Sequence, residues 1–243
     1  MEIIKLSAID STNSFLKELA MNTVLENFTT VVTDRQIKGR GQQGGNWESE
    51  PCKNLIFSVF TSFNSFATSN SRYLNFAVSL AIFEVLIAQN IPDISIKWPN
   101  DILSGKKKVC GVLIENRLKG KEISSAIIGI GLNVNQTIFS SALPKASSLK
   151  LRTNQTFDLD VLLKNIISKL KNKIALLHKN KFKDLETSYL NVLYKKNIPT
   201  MFKDSKDVLF MGIIRGISKE GKLQVTLEDE TLKEFGIKEI SFL

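Results

Sequence analysis

Apolar positions along the chain follow two periods, and each change of period marks a predicted element. Ile3 to Leu6 is a short strand-like run. Asp10, Ser11, Thr12 and Asn13 then offer side-chain oxygens as N-caps ahead of Phe15, Leu16 and Leu19 at helical spacing. A helix opens there, and its first-turn N–H groups can face an anion or a carbonyl. Residues that do no more than cap a helix have the same pattern. Phe28 to Thr33 and Asn54 to Thr61 read as strands, and Arg72 to Gln89 as a long helix with Leu74, Val78, Ile82 and Val85 on one stripe. Ile94 to Trp98 is a short strand stopped by Pro99, after which Asn100 and Asp101 carry turn chemistry. Val109 to Glu115 and Ile123 to Val134 are apolar and β-rich, and a hairpin around Leu118 to Lys121 sets them side by side. Asp158 to Lys179 and Lys181 to Tyr194 are helical, the first burying Leu159, Leu162, Leu163, Ile166, Ile167, Leu170 and Ile174 along one face.

Beyond Asn197-Ile198-Pro199 the period becomes that of strands: Leu209 to Ile217, Lys222 to Glu228, and a last one near Ile237 to Phe242. These strands form a module too small for a large core of its own, so it is expected to dock on the main body. The predicted organisation is a mixed α and β domain over 1–195 and a small β domain over 196–243. No internal repeat or low-complexity tract interrupts it.

Composition narrows the chemistry. The 243 residues are 43% hydrophobic and 23% charged, which is the balance of an ordinary globular protein. A surplus of 33 basic over 24 acidic residues gives +9 and admits an anionic partner such as ATP or nucleic acid. Much of that surplus is lysine scattered through 164–206 rather than a dense run, so a nucleic-acid-binding module is the weaker reading. Cys52 and Cys110 lack metal or redox spacing and His178 is the one histidine, which disfavours a zinc site, a disulfide framework or a histidine-dependent triad. The N-terminus lacks the apolar core of a signal peptide, and no run approaches the ~18 apolar residues of a membrane span. The reducing cytoplasm is the expected compartment.

The segment Gln36-Ile-Lys-Gly-Arg-Gly-Gln-Gln-Gly-Gly-Asn-Trp47 stands apart. It places Gly39, Gly41, Gly44 and Gly45 around Arg40 and ahead of Trp47, between two predicted strands. Such a backbone can approach a phosphate closely while a guanidinium and an indole stand beside it. A mobile surface loop has a similar composition. The run Lys106-Lys107-Lys108 after Gly105 is on its own a solvated tip, but the following Val-Cys-Gly-Val-Leu-Ile fixes Lys108 at the entrance to a buried strand.

Taken in order, Asp10-Ser-Thr-Asn13, Gly39-Arg-Gly-Gln-Gln-Gly44 with Trp47, Lys97-Trp-Pro-Asn-Asp101, Lys107-Lys-Val-Cys-Gly-Val-Leu-Ile-Glu115 and Gly129-Ile-Gly-Leu-Asn133 resemble the biotin protein ligases. The match is specific from about residue 8 to 150 and looser beyond. It implies an α+β fold, a mixed sheet with flanking helices like that of class II aminoacyl-tRNA synthetases, with a C-terminal SH3-like β-barrel. It also implies a two-step reaction: biotin and ATP form biotinyl-5′-AMP, and a lysine of a biotin carboxyl carrier protein, a subunit of acetyl-CoA carboxylase or a related carboxylase, takes the biotinyl group.

By that resemblance Lys108 and Arg40 are the catalytic cations. Ser11, Thr12, Asn13, Gln36, Gly39, Arg40, Gly41, Gln42, Lys108, Gly111 and Gly129 bind biotin. Arg40, Trp47, Asn100, Asp101, Lys108 and Asn133 bind ATP or the adenylate. Mg²⁺ is expected to arrive with ATP, without a dedicated side-chain cage and with Asp101 as the candidate ligand. Many relatives carry arginine where this chain has Gln42, so retention of the adenylate is expected to be weaker or to draw charge from Lys38 or Arg35. Segment 36–50 is expected to be disordered when empty and ordered over the adenylate. With Ser11 to Asn13 so near the start, no winged helix for operator binding and no nucleic-acid partner are expected. A homodimer through sheet edges fits the resemblance. The rival of the same fold is a lipoyl or octanoyl ligase or transferase.

Overall fold

A computed structural model describes residues 2–243. The N-terminal body is built on a seven-stranded sheet of order β1-β2-β3-β7-β6-β5-β4. Its strands are β1 (Ile3–Ile9), β2 (Thr30–Gln36), β3 (Leu55–Ser62), β4 (Ile94–Lys97), β5 (Asp101–Ser104), β6 (Lys107–Lys119) and β7 (Glu122–Leu132). β1 and β2 are parallel and the other neighbours antiparallel, so the sheet is mixed.

β3 shows why the layers form. All but the last of its residues are buried, the mark of a central strand covered on both faces. Leu55, Phe57 and Val59 point into the main core, while Phe60 packs with Leu16, Val31 and Ile127 beneath α1 (Thr12–Asn22). The main core is closed by α2 (Ser71–Ala88) and α4 (Leu159–His178). Asp158 caps α4 by accepting from Val161 N at 3.0 Å, and the helix buries Leu162, Leu163, Ile166, Ile167, Leu170, Ile174 and Leu177. That is the predicted stripe with Leu159 moved to its edge.

Two expectations are corrected here. Residues 68–88 are long and apolar enough to cross a membrane by length and composition, which the sequence reading did not find. In the fold α2 is a core helix, with Leu74, Ala77, Val78, Ala81, Ile82 and Leu86 fully buried between the sheet and its helical neighbours. Asp101, expected in a turn, instead begins β5, paired to Lys97 on one side and to Gly111 on the other.

After the short α3 (Leu149–Thr153) and α5 (Phe182–Asn191), the chain forms a five-stranded antiparallel sheet of order β11-β10-β9-β8-β12. These strands are β8 (Pro199–Asp204), β9 (Leu209–Ile217), β10 (Leu223–Leu227), β11 (Leu232–Phe235) and β12 (Ile240–Phe242). Phe202, Ile214, Leu223, Val225 and Phe235 fill its interior. It docks where Trp98 Nε1 donates to the Gly221 carbonyl at 3.0 Å and Lys97 Nζ lies 4.9 Å from the Phe242 ring centroid.

Candidate active site

One face of the sheet, the first turn of α1 and the glycine segment enclose a cavity of about 250 Å³. Its floor is bare backbone. Gly111 and Gly131 are cross-strand partners, and Gly129 lies opposite Ser58 of β3. A Cβ at Gly131 would overlap the Trp47 ring, one at Gly129 would overlap the Asn13 amide, and one at Gly111 would come within 3.0 Å of Trp47 and 3.2 Å of Lys108 Nζ. The three glycines therefore admit side chains from outside the sheet. In this structure the space over Gly111 holds Trp47 and Lys108.

The ordered end of the cavity is built on the start of α1. Ser11 is the N-cap, its Oγ accepting from Ser14 N at 3.4 Å. Gln36 Oε1 accepts from Thr12 N at 2.9 Å, and the buried Ser58 hydroxyl lies 2.8 Å from Thr12 Oγ1 and 2.6 Å from Asn13 Oδ1. Asn13 Nδ2 donates to the Leu113 carbonyl at 3.2 Å and to Glu115 Oε2 at 2.9 Å. Ser11, Thr12 and Asn13 are nearly inaccessible, yet all three line the cavity with Gln36. Polar groups buried this way must be paired with each other or with a ligand.

The cavity also carries charge. A bulge in β6 inserts Val109 into the pairing with β5, which brings Lys108 onto the face of Gly111. The backbone of Lys108 is held on its other side by Lys145 O at 2.7 Å and Ser147 N at 2.9 Å. Its Nζ lies 2.6 Å from Asp101 Oδ1, an ion pair outside hydrogen-bond geometry, and 5.5 Å from the Trp47 ring centroid. Arg40 Nη2 donates to Glu115 Oε2 at 2.6 Å. Each cation thus rests against a carboxylate. Burial lowers the pKa of the neighbouring Lys97 amine, an effect that Asp101 opposes. Burial likewise pushes the Cys110 thiol well up, so this cysteine supplies no thiolate nucleophile.

The structure brings together most of the predicted site. Ser11, Thr12, Asn13, Gln36, Arg40, Gly41, Gln42, Trp47, Asn100, Asp101, Lys108, Gly111 and Gly129 all line the cavity, while Gly39 and Asn133 do not. Gly39 lies too close to the Trp47 carbonyl for a side chain, which makes it a spacer in the segment. Asn133 is buried, with its Nδ2 on the Ser147 carbonyl at 3.0 Å, and so braces the 145–148 segment instead of facing the cavity. Trp47 packs the segment onto the sheet, with its Nε1 buried and unpartnered. Asn100 Nδ2 bonds the Val112 carbonyl, and Asp101 is engaged by Lys108. Lys38, one proposed source of extra charge, pairs with Asp10 at 2.9 Å, and neither it nor Arg35 lines the cavity.

Sequence reasoning gave no role to Ser58 or Glu115. A lone serine inside the apolar run Asn54 to Thr61 was the signal for the first. Glu115 closes a motif but looks like any charge at a strand's exposed end.

No group of three or more His, Cys, Asp and Glu side chains converges among the described residues. A dedicated magnesium cage does not fit, because Asp101, the one carboxylate lining the cavity, is already paired.

Residues 6–133 match the model of the biotin/lipoate A/B protein ligase family. The bifunctional ligase/repressor BirA of Bacillus spizizenii is 34% identical over 134 residues, covering 55% of this chain and 41% of that protein, so the match spans about two-fifths of the relative's length. The protein of the same name from Escherichia coli is 25% identical over 237 residues, covering 97% of this chain and 72% of that one. The solved structure of a biotin protein ligase from Aquifex aeolicus in complex with biotin and ATP is similar at a TM-score of 0.80 and 27% identity, covering 100% of this chain and 98% of that chain. Every residue that lines the cavity falls inside the matched stretch, and the chain belongs to the biotin/lipoate A/B protein ligase family.

Proposed function

We propose that this chain activates biotin with ATP and passes the biotinyl group to a lysine of a biotin carboxyl carrier protein. One observation carries the reading: a single cavity is lined both by Ser11, Thr12, Asn13 and Gln36 and by the two cations Arg40 and Lys108. The first four suit a compact polar ring with one carbonyl and two N–H groups. The two cations suit the meeting of a carboxylate with a triphosphate.

In the first step a carboxylate oxygen of biotin attacks the α-phosphorus of ATP. An acyl–phosphate bond forms, the bond to the β-phosphate breaks, and pyrophosphate leaves. Lys108 and Arg40 offset the repulsion between the two anions and the charge that grows on the phosphoryl oxygens. In the second step the neutral carrier amine attacks the biotinyl carbonyl, the carbon–nitrogen bond forms, AMP leaves and the amine gives up its proton. Trp47 and the glycine segment exclude water that would hydrolyse the mixed anhydride. Magnesium enters this reading bound to the triphosphate, and no step is routed through it. The cytoplasm is the compartment that goes with this reading.

The test is exchange of labelled pyrophosphate into ATP with biotin, lipoate or octanoate supplied singly. Exchange that depends on biotin is the expected result. Exchange with lipoate or octanoate alone overturns the reading in favour of the other branch of the family.

A further inference from the structure

We infer that Glu115 is a positioning residue, the resident counterion that fixes the Asn13 amide and that an incoming anion displaces from Arg40. The inference rests on the proposed function for the identity of that anion, but its geometry stands apart from it.

Along β6 the alternation of side chains puts Gly111, Leu113 and Glu115 on one face. The first two line the cavity, and Glu115 stands just beyond its end. One oxygen, Oε2, accepts from both Arg40 Nη2 at 2.6 Å and Asn13 Nδ2 at 2.9 Å. The other, Oε1, lies 3.7 Å from Lys17 Nζ. Because Asn13 Oδ1 faces the Ser58 hydroxyl at 2.6 Å, the amide is oriented with its N–H groups toward Glu115. A chain of polar contacts therefore runs from Gln36 through Thr12, Ser58, Asn13 and Glu115 to Arg40. It joins the polar residues at the start of α1 to the Arg40 guanidinium.

Two consequences follow from the chemistry of a carboxylate in that place. A guanidinium with a partner at 2.6 Å is shared with an arriving phosphate at the cost of that contact, so Glu115 competes with the ligand for Arg40. The same carboxylate holds Asn13, so it also prepares the polar end. Charge and hydrogen bonding can be separated by substitution. Glu115→Gln retains an oxygen for Asn13 and removes the charge that Arg40 faces. Glu115→Ala removes both.

The probe for the charge is pyrophosphate alone, titrated into the full chain without biotin. Glu115→Gln is expected to bind it about three- to fivefold more tightly, the range of a partly exposed ion pair. Adding Arg40→Ala to Glu115→Gln is expected to cancel the gain. Equal affinity in the wild type and Glu115→Gln, or a gain that persists without Arg40, overturns the inference. This readout needs no turnover, so it is decided whether or not biotin is the substrate. The probe for positioning is the biotin KM in pyrophosphate exchange: Glu115→Ala is expected to raise it while Glu115→Gln stays near the wild type. An equal rise in both variants removes Asn13 from the account. Should Glu115→Ala fail to fold, the near-isosteric Glu115→Gln and its Arg40→Ala double variant still decide the matter.

Discussion

The cavity has two unlike walls. Its floor is three glycines in the middle of a seven-stranded sheet, each paired with a strand on both sides. Its lid, residues 36–47, is braced within itself by Gly41 N to Gly45 O at 2.6 Å and Trp47 N to Gly39 O at 3.0 Å. It is tied to the body by Ile37 N to Ile9 O at 2.9 Å and Lys38 N to Asp10 O at 2.8 Å at its base, and beyond them by the ion pairs of Lys38 with Asp10 and of Arg40 with Glu115 and by Lys238 on the Gln43 carbonyl. The same residue type serves opposite ends. On the floor glycine removes a side chain so that another can enter; at Gly44, with φ +79° and nothing within 4 Å of a would-be Cβ, it supplies a backbone angle. Rigidity on one side and looser tethering on the other suit the proposed reaction, in which two anions are aligned and a product is then released.

The largest break in this comparison comes from the floor's one cation. Lys108→Ala is expected to reduce biotin-dependent pyrophosphate exchange about 10²- to 10³-fold, the usual effect of removing a group aimed at developing charge. The side chain is partly exposed, but its loss leaves the largely buried Asp101 carboxylate without that partner, so the melting temperature should fall modestly, by far less than a fold-breaking change would cause. A variant that keeps a tenth or more of wild-type exchange would mean that the chemistry lies elsewhere.

Next in size is a direct contrast between the walls. Gly131→Ala puts a methyl into the space of the Trp47 ring, which must shift, and overpacking of this kind costs about 1–3 kcal/mol. Gly44→Ala meets no atom and strains one left-handed residue, at about 1 kcal/mol. The floor variant is therefore expected to lose exchange by more than tenfold and the lid variant by only a few-fold. Equal losses would show that the floor's bareness has no special role.

The floor was legible in the sequence, and what crosses between the walls was not. The strands of β6 and β7 announce themselves by length and apolar content, and Lys108 gains its place from the run that follows it. β5 is four residues long, too short for periodicity to separate from the turn chemistry of Asn100 and Asp101, so its pairing and the ion pair of Asp101 with Lys108 stayed hidden. Arg40 and Glu115 are 75 positions apart and meet only because β6 passes beside the lid. Asn133 is placed at the ligand by its motif, yet it does not line the cavity: its Nδ2 bonds the Ser147 carbonyl, while its Oδ1 is buried without a partner. Local pattern gives elements and spacing gives faces, but partners across a sheet are set by register.

Smaller still is the effect expected at Gln42, which lies where the cavity meets the groove between the two domains. The lining of the cavity has two cations, Arg40 and Lys108, and each has its own carboxylate. Gln42→Arg adds a third. Dissociation of preformed biotinyl-5′-AMP should slow about fivefold to tenfold, in line with one further charge-assisted hydrogen bond. An unchanged dissociation rate would mean that this chain retains its intermediate by means other than charge at that position.

The smallest effect concerns a tether that reaches the lid from the C-terminal sheet region. Lys238 Nζ donates to the Gln43 carbonyl at 2.8 Å, across 195 positions of sequence, and both residues have positive φ at 68° and 48°. The donor is exposed, so the bond contributes well under about 1 kcal/mol and holds the lid only against brief opening. Trypsin is expected to report that opening, because Lys38 and Arg40 are exposed in the lid and cleavage there needs the backbone around them to unfold. In the empty protein Lys238→Ala should raise cleavage there about twofold to fivefold, since opening and cutting are coupled by the population of the open form. Biotin with ATP should protect both proteins to the same final level, because the ligand supplies contacts that dwarf the tether. If cleavage in the empty wild type already equals that with ligands present, the lid is no looser than the floor and the contrast between the walls disappears. If only the variant's extra cleavage is missing, the lid is loose but the C-terminal domain has no hold on it.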